Sequence, residues 1–119
     1  MNFIQPNSIK NIHKLSIAPM MDCTDKHFRM IMRKISSEAL LYTEMIVAQS
    51  LVHTNKKENF LDFNSEEHPI AIQFGGDDPK FLKEAARMAQ DWGYDEINFN
   101  VGCPSPRAVS YTHLRAHET

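Results

Sequence analysis

Asn100 and Cys103 are the residues of this sequence whose types and spacing are best suited to chemistry. The stretch Glu96–Val101 alternates apolar and polar residues, as a β-strand does, and Gly102–Pro104 then turns the chain. A thiol can act as a nucleophile or as a proton donor near neutral pH, and the amide of Asn100, three residues earlier, could orient a substrate beside it. A buried structural cysteine at a strand end is the alternative that these residues leave open.

The composition limits the class of protein. Of 119 residues, 42% are apolar and 24% charged, as in a soluble globular domain. The net charge of −2 gives no indication of nucleic-acid binding, although a local basic surface is compatible with that total charge. Cys23 and Cys103 show no metal-ligand spacing, so we expect no metal site and a reducing, cytoplasmic setting. No apolar run approaches the roughly 18 residues that a membrane helix needs, and Met1–Asn11 lack a secretory signal.

The apolar patterning predicts strands that alternate with helices. The predicted strands cover residues 15–21, 39–44, 69–76 and 96–101. The predicted helices run from Lys26 through Ile35, over 45–53 and over 79–92, with a loop and a short helix within 55–67. This alternation predicts a parallel sheet with crossover helices.

The spacing of the predicted strand ends favours one of two α/β architectures. The ends lie near Met20, Glu44, Phe74 and Val101, which are 24, 30 and 27 residues apart. A closed (β/α)8 TIM barrel has about 31 residues per unit and roughly 250 in all, so we expect the N-terminal half of a barrel, with about four units. A complete doubly wound sheet is the alternative. Such a sheet requires a glycine-rich phosphate-binding loop after its first strand, but residues 18–21 of this sequence are Ala-Pro-Met-Met.

Residues with special chemistry follow each predicted strand, at the edge of the sheet where such barrels carry out their reactions. They are Pro19, Met20 and Met21, then Thr43 and Glu44, then Gln73, then Asn100 and Cys103. The proline–methionine segment offers backbone polar groups and a soft apolar floor for a flat aromatic cofactor. The amide of Gln73 both donates and accepts, which suits the pyrimidine edge of a flavin. The residues alone therefore indicate a cofactor-dependent barrel enzyme in which a cysteine takes part in the reaction.

The helix that begins at Lys26 is predicted to be amphipathic. Its apolar positions are Phe28, Ile31, Met32 and Ile35, and its basic positions are Lys26, Arg29, Arg33 and Lys34. The basic side chains are interpreted either as a solvated face or as a contact surface for phosphates, and the pattern leaves both open.

Five blocks of the sequence resemble the tRNA-dihydrouridine synthases, most of all their bacterial A-type (20/20a) branch. They include Ala-Pro-Met-Met-Asp-x-Thr-Asp and Asn-Val-Gly-Cys-Pro-Ser, and they cover Ala18–Asp25, Leu41–Met45, His68–Gly76, Gly93–Asn98 and Asn100–Ser105. The order and spacing of all five make the resemblance specific, and it extends from about Ser16 to Arg107.

The resemblance implies an FMN-dependent barrel that reduces a uridine of the tRNA D-loop to 5,6-dihydrouridine with NADPH (or NADH). By the same resemblance, Pro19, Met20 and Met21 lie against the flavin, and Gln73 bonds its ring. The full-length form is expected to be a monomer without a metal.

The resemblance also assigns the substrate side of the site. Cys103 is implied as the proton donor to C5 of the uracil, opposite hydride delivery to C6, and Asn100 as a tRNA contact. Positioned general acids contribute on the order of 10²–10⁴-fold to a rate. The uridine must leave its stack to reach the cofactor, so base flipping is implied.

The sequence departs from the family pattern at two places. Cys23 stands where the family usually has tryptophan, and from Ala108 onward the resemblance stops. We therefore expect an N-terminal extension over 1–14, a partial FMN-binding barrel domain over 15–107, and an artefactual or disordered tail over 108–119. The later segments that hold the flavin phosphate and the tRNA in the family are absent.

A half barrel has physical consequences for the chain itself. It would leave two open sheet edges and uncover apolar side chains, for which Ile17, Leu41, Ile72 and Phe99 are the candidates. We therefore expect the 119-residue chain to associate or aggregate and to be inactive by itself. Two alternatives to a tRNA-dihydrouridine synthase stay open. The protein could be another FMN-dependent barrel oxidoreductase, or it could be a non-catalytic fragment or an RNA-binding remnant.

Overall fold

A computed structural model describes residues 13–102 of the chain. The strands are β1 (Ser16–Ile17), β2 (Leu40–Val47), β3 (Ile70–Gly75) and β4 (Glu96–Asn100). The helices are α1 (Lys26–Ile35), α2 (Ala48–His53), α3 (Glu58–Leu61) and α4 (Pro79–Trp92), with a 3-10 turn at Ser65–Glu67. Strands and helices alternate, which confirms the predicted α/β class.

The four strands form one parallel sheet in the order β1-β2-β3-β4. Each strand therefore pairs with the next strand of the sequence, and the described strands contain no switch point at which the order reverses. A doubly wound sheet requires such a reversal, so the observed order does not fit that alternative. Sequential parallel pairing is the order that a (β/α)8 barrel uses.

Local sequence signals set the ends of the two longer helices. Asp25 caps α1 by accepting a hydrogen bond from the Phe28 N–H at 2.8 Å. Asp78 caps α4 in the same way, and Pro79 occupies its first turn. Gly93 ends α4 with φ of 91°, a left-handed conformation that glycine adopts without strain. These are the boundaries that the sequence predicts.

Strand β2 is longer than predicted. It continues through Met45 to Val47, where the sequence predicts the start of a helix. After an irregularity that follows Tyr42, the segment Met45–Val47 pairs with Gln73–Gly75 of β3. Backbone hydrogen bonding to a neighbouring strand extends β2 here, and helix α2 begins only at Ala48.

The hydrophobic core lies between the sheet and its helices. Ile70, Ile72 and Phe74 of β3 point to the helices, and all three are fully buried. The other members of the core are Ile46, Ala48, Leu51, Leu61, Ala85, Ala89 and Tyr94. Because side chains alternate along a strand, Ala71, Gln73 and Gly75 lie on the opposite face of the sheet.

The prediction that some of four apolar side chains are uncovered is confirmed by Phe99, whereas Leu41 and Ile72 are not among the uncovered ones. Leu41 and Ile72 are fully buried, since the pairing of Leu41 with Ile70 puts both on the helix-facing side of the sheet. Phe99 is 47% exposed, as expected, and Ile17 is half-buried.

The predicted orientation of α1 is also wrong, and neither interpretation of its basic face holds for the two arginines. Arg29 and Arg33 are buried, whereas Ile31 is 62% exposed and Ile35 72% exposed. The reason is a buried acidic partner, because Arg29 forms an ion pair with Glu67. Arg33 donates to the carbonyl oxygens of Glu67 and Pro69 at 2.9 and 3.1 Å.

Candidate active site

Three side-chain amides form a row across the carboxyl ends of β3 and β4. Gln73 Nε2 donates to Asn98 Oδ1 at 2.7 Å, and Asn100 Nδ2 donates to Gln73 Oε1 at 3.4 Å. Gln73 is therefore held by an acceptor and by a donor from the neighbouring strand, which fixes the plane of its amide. We call Gln73, Asn98 and Asn100 the amide row.

The parallel register of the sheet brings these residues together. Gln73 pairs with Asn98, and Gly75 pairs with Asn100. Paired residues of parallel strands share a face, and this face is the one turned away from the helices. The structure thus joins two of the predicted site residues, Gln73 and Asn100, by a direct hydrogen bond.

Asn98 is a member of the site to which sequence reasoning assigned no role. The sequence does contain one indication of its position. Asn98 lies two residues before Asn100 on the same strand, and side chains two residues apart on a strand lie on the same face of the sheet. Without the register of β3 against β4, however, its contact with Gln73 could not be known.

A threonine of β2 supports the same strand end. Thr43 Oγ1 accepts a hydrogen bond from the backbone N–H of Gln73 at 3.1 Å and donates to the carbonyl oxygen of Glu44 at 2.8 Å. The buried hydroxyl therefore ties β2 to β3 just where the regular pairing is interrupted.

The segment Pro19–Met21 forms a turn after β1. Met20 is 41% exposed and Met21 56% exposed, while Pro19 is half-buried. The turn lies at the same edge of the sheet as the amide row. Its strand is two places from β3 in the sheet, roughly 10 Å away at about 4.8 Å per strand. The described contacts include no direct bond between the two.

An open cleft of about 1170 Å³ adjoins this turn. Met21 lines it, together with Thr43–Val47 at the end of β2 and residues at the start of α1, in α2 and in α3. The amide row does not line the cleft. The cleft therefore reaches from the turn after β1 to α2 and α3, and its lining includes Thr43 and Met45, the two neighbours of Gln73 on β2.

Cys103, the predicted proton donor, lies outside the described residues. The described chain ends at Gly102, whose N–H donates to Asn100 Oδ1 at 3.1 Å. Asn100 thus connects the amide row to the residue immediately before Cys103. The predicted role of Cys103 remains a prediction.

A family match decides to which family the chain belongs. The model of the dihydrouridine synthase (Dus) family matches residues 16–112, most of the chain. The chain belongs to the dihydrouridine synthase family. The match includes β1 to β4, the turn after β1 and every residue of the amide row.

Several curated dihydrouridine synthases are similar to the chain. A tRNA-dihydrouridine(20/20a) synthase of Synechocystis sp. is 57% identical over 100 residues, which make up 84% of this chain and 30% of that protein. The Vibrio cholerae enzyme of the same name is 53% identical over 94 residues, 79% of this chain and 28% of the relative. The Escherichia coli enzyme is 46% identical over 103 residues, 87% of this chain and 30% of the relative. The chain thus spans about three-tenths of the length of these relatives.

Two tyrosines of this family member have perturbed acidity. Burial raises the pKa of Tyr42 to about 12, and the hydrogen bond to the Glu96 carboxylate, with its charge, acts in the same direction. Burial also raises the pKa of Tyr94, whose hydroxyl donates to the Leu61 carbonyl oxygen at 2.8 Å. Both phenols are therefore neutral hydrogen-bond donors at physiological pH.

Within residues 13–102, no three His, Cys, Asp or Glu side chains are grouped closely enough to hold a metal ion. In the same part of the chain, no helix has both the length and the apolar character needed to cross a bilayer.

Proposed function

We propose that the full-length protein containing this chain reduces a uridine in the D-loop of a tRNA to 5,6-dihydrouridine, with FMN as cofactor and NADPH (or NADH) as reductant. By full-length protein we mean the chain continued to the length of its relatives, of which it spans about three-tenths. The family membership and the relatives' names support this proposal. The observation that carries it is the amide row.

The donor set at the strand ends fits an isoalloxazine ring. An amide nitrogen has two N–H groups and an amide oxygen two lone pairs. In the described contacts, Gln73 uses one N–H toward Asn98 and one lone pair toward Asn100, which leaves one donor and one acceptor for a ligand. The pyrimidine edge of a flavin presents the complementary carbonyl and imide groups. The exposed methionines Met20 and Met21 supply apolar surface suited to a flat ring.

FMN, when bound and reduced, would supply the hydride for C6 of the uracil. The residues of this chain provide binding and the proton. Gln73 would hold the ring edge, and the apolar side chains of Met20 and Met21 would keep water from its face. The Cys103 thiol would give a proton to C5, so that the C5–C6 double bond becomes a single bond with one hydrogen added at each carbon.

Asn100 would orient the substrate in this scheme. One atom of its amide, Oδ1, accepts from Gly102, and the Nδ2 group donates to Gln73. The same residue is therefore placed between the proposed cofactor contact and Gly102, the residue before Cys103. The uridine would have to flip out of the D-loop to enter the site, and an unpaired loop base makes that rearrangement less unfavourable.

The architecture belongs to the same proposal. We assign residues 15–107 to the first part of a (β/α)8 barrel, whose remaining strands and phosphate-binding loops would come from the rest of the full-length protein. In this assignment, the open edges of β1 and β4 pair with further strands, and the exposed ring of Phe99 is covered.

The test uses the full-length protein and Cys103→Ala. The wild-type protein should bind FMN and form dihydrouridine in tRNA when NADPH is supplied. Cys103→Ala should keep FMN and lose product formation by on the order of 10²–10⁴-fold, since a general acid is removed. A wild-type protein without FMN would refute the proposed function, and a fully active Cys103→Ala variant would refute the role of the thiol.

A further inference from the structure

A buried hydroxyl helps to hold the turn after β1. Thr24 Oγ1 accepts from the backbone N–H of Met20 at 3.1 Å and donates to the carbonyl oxygen of the same residue at 3.2 Å. The backbone N–H groups of Thr24 and Cys23 also donate to that carbonyl oxygen, at 2.9 and 3.1 Å. Thr24 is fully buried, although Met20 and Met21 are exposed. Both polar groups of the Met20 backbone are therefore bound by one side chain.

The backbone of Thr24 is itself held by a chain of polar groups. Arg29 NH1 donates to the carbonyl oxygen of Thr24 at 2.8 Å, and Arg29 Nε is paired with the carboxylate of Glu67. The other carboxylate oxygen of Glu67 accepts from the backbone N–H of Asn64 at 2.6 Å. A continuous series of hydrogen bonds thus runs from the segment before β3 to the exposed turn after β1.

The turn needs such support. Its next residue, Asp22, has φ of 59°, which is uncommon for a residue with a Cβ atom. Met20 and Met21 expose apolar side chains to water, and nothing in those side chains favours the outward position by itself. The hydrogen bonds to Thr24 fix the backbone from which these side chains project.

We propose that Thr24 is a positioning residue that fixes the turn Pro19–Met21 for contact with the flavin, and does so through the backbone of Met20. The proposal rests on the proposed function, since it concerns the site for FMN. Thr24 acts through another residue, because its hydroxyl is committed to the Met20 backbone and the side chain is buried.

The experiment compares three variants of the full-length protein. Thr24→Val keeps the shape and the backbone bonds of Thr24 but removes the hydroxyl, and Thr24→Ser restores it. Thr54→Val is the control, because its hydroxyl also accepts from a backbone N–H, that of Lys56 at 3.1 Å, but at the end of α2 and not in the turn. For each protein, the Kd for FMN, the flavin absorption spectrum and the melting temperature of the apoprotein are measured.

Thr24→Val should raise the Kd for FMN about 10-fold, because FMN binding must then order a turn that the hydroxyl no longer holds in the free protein, and it should shift the flavin absorption bands. Thr24→Ser should return both toward the wild-type values, and Thr54→Val should leave both unchanged. The apoprotein of Thr24→Val should melt at a lower temperature than that of Thr54→Val, because the Thr24 hydroxyl is fully buried and makes two hydrogen bonds. The flavin absorption spectrum and its recovery in Thr24→Ser are therefore the readouts that separate positioning from general stability.

Each other outcome is decisive. If the wild-type protein binds FMN and Thr24→Val matches it in Kd and spectrum, the positioning role is refuted and the proposed function survives. If Thr24→Val does not fold, Thr24→Ala is measured in its place. Failure of both variants to fold would overturn the proposal, because Thr24 would then be required for the fold itself. A wild-type protein that binds no FMN would refute the proposed function first.

Discussion

Replacement of Glu67 by alanine should destabilise the full-length protein far more than replacement of its neighbour Glu66. The carboxylate of Glu67 is fully buried and paired with Arg29, whose side chain is only 6% exposed. Removal of the carboxylate would leave the Arg29 guanidinium buried with the Thr24 carbonyl oxygen as its remaining described partner. Breaking a buried ion pair in this way typically costs about 3–5 kcal/mol.

Glu66 provides a control one residue away. It pairs with Lys34 at 3.2 Å, but the two side chains are 58% and 71% exposed. An exposed pair of this kind contributes about 0–1 kcal/mol, because water and salt screen it. Loss of the backbone bond from Asn64 adds little to the difference for Glu67, since that N–H is only partly buried and water can replace the acceptor.

Urea denaturation followed by far-ultraviolet circular dichroism measures the two effects. Glu67→Ala should lose about 3–5 kcal/mol of a total stability that is typically about 5–15 kcal/mol, and Glu66→Ala less than about 1 kcal/mol. The double substitution Arg29→Met with Glu67→Leu should recover part of the loss, because no charge is left buried. Equal denaturation midpoints for Glu66→Ala and Glu67→Ala would refute the reasoning.

Three further predictions follow from the site and the fold. Gln73→Ala should weaken FMN retention by removing the held amide, and an unchanged flavin-to-protein absorbance ratio would contradict that role. The folded state raises the pKa of Tyr42 from 10.0 to about 12, so this group stabilises the fold fully below pH 10.0 and ceases to do so as the pH rises through about 12. Between pH 10.0 and about 12, the free energy of unfolding of Tyr42→Phe should therefore fall less steeply with pH than that of the wild-type protein. Parallel curves for the two proteins would exclude a contribution of Tyr42 to the pH dependence. The 119-residue chain alone should associate through its open edges and exposed groups such as Phe99, whereas a sharp monomer peak in size-exclusion chromatography with tight FMN binding would point to a self-contained domain.

Much of the fold follows from signals that act over a few residues. Asp25, Asp78 and Gly93 define helix ends in the structure where the sequence predicts them. These signals work at short range, because a cap satisfies backbone groups two or three residues away and a left-handed glycine ends a helix by its own conformation. The apolar patterning likewise locates all four strands, although β1 is shorter than predicted, since it covers only Ser16–Ile17 and not residues 15–21, and β2 is longer.

The candidate site is predictable only in part. Gln73 and Asn100 stand out by residue type and by their position late in apolar strands, and the structure joins them. The role of Asn98 depends on the register between β3 and β4, which no residue of either strand determines alone. The support of Met20 by Thr24 depends on the path of the turn, with its positive φ at Asp22.

The sequence by itself determined the order of strands and helices, the ends of α1 and α4 and the residue types at the strand ends, because these depend on near neighbours along the chain. Tertiary structure decided which face of α1 is buried. Its amphipathic pattern predicts that Ile31 and Ile35 face the core, yet Arg29 is buried instead. The partner of Arg29, Glu67, lies 38 residues away, and only the folded chain brings the two charges together. A buried arginine requires such a partner, so the contact with Glu67 and not the local periodicity sets the orientation of the helix.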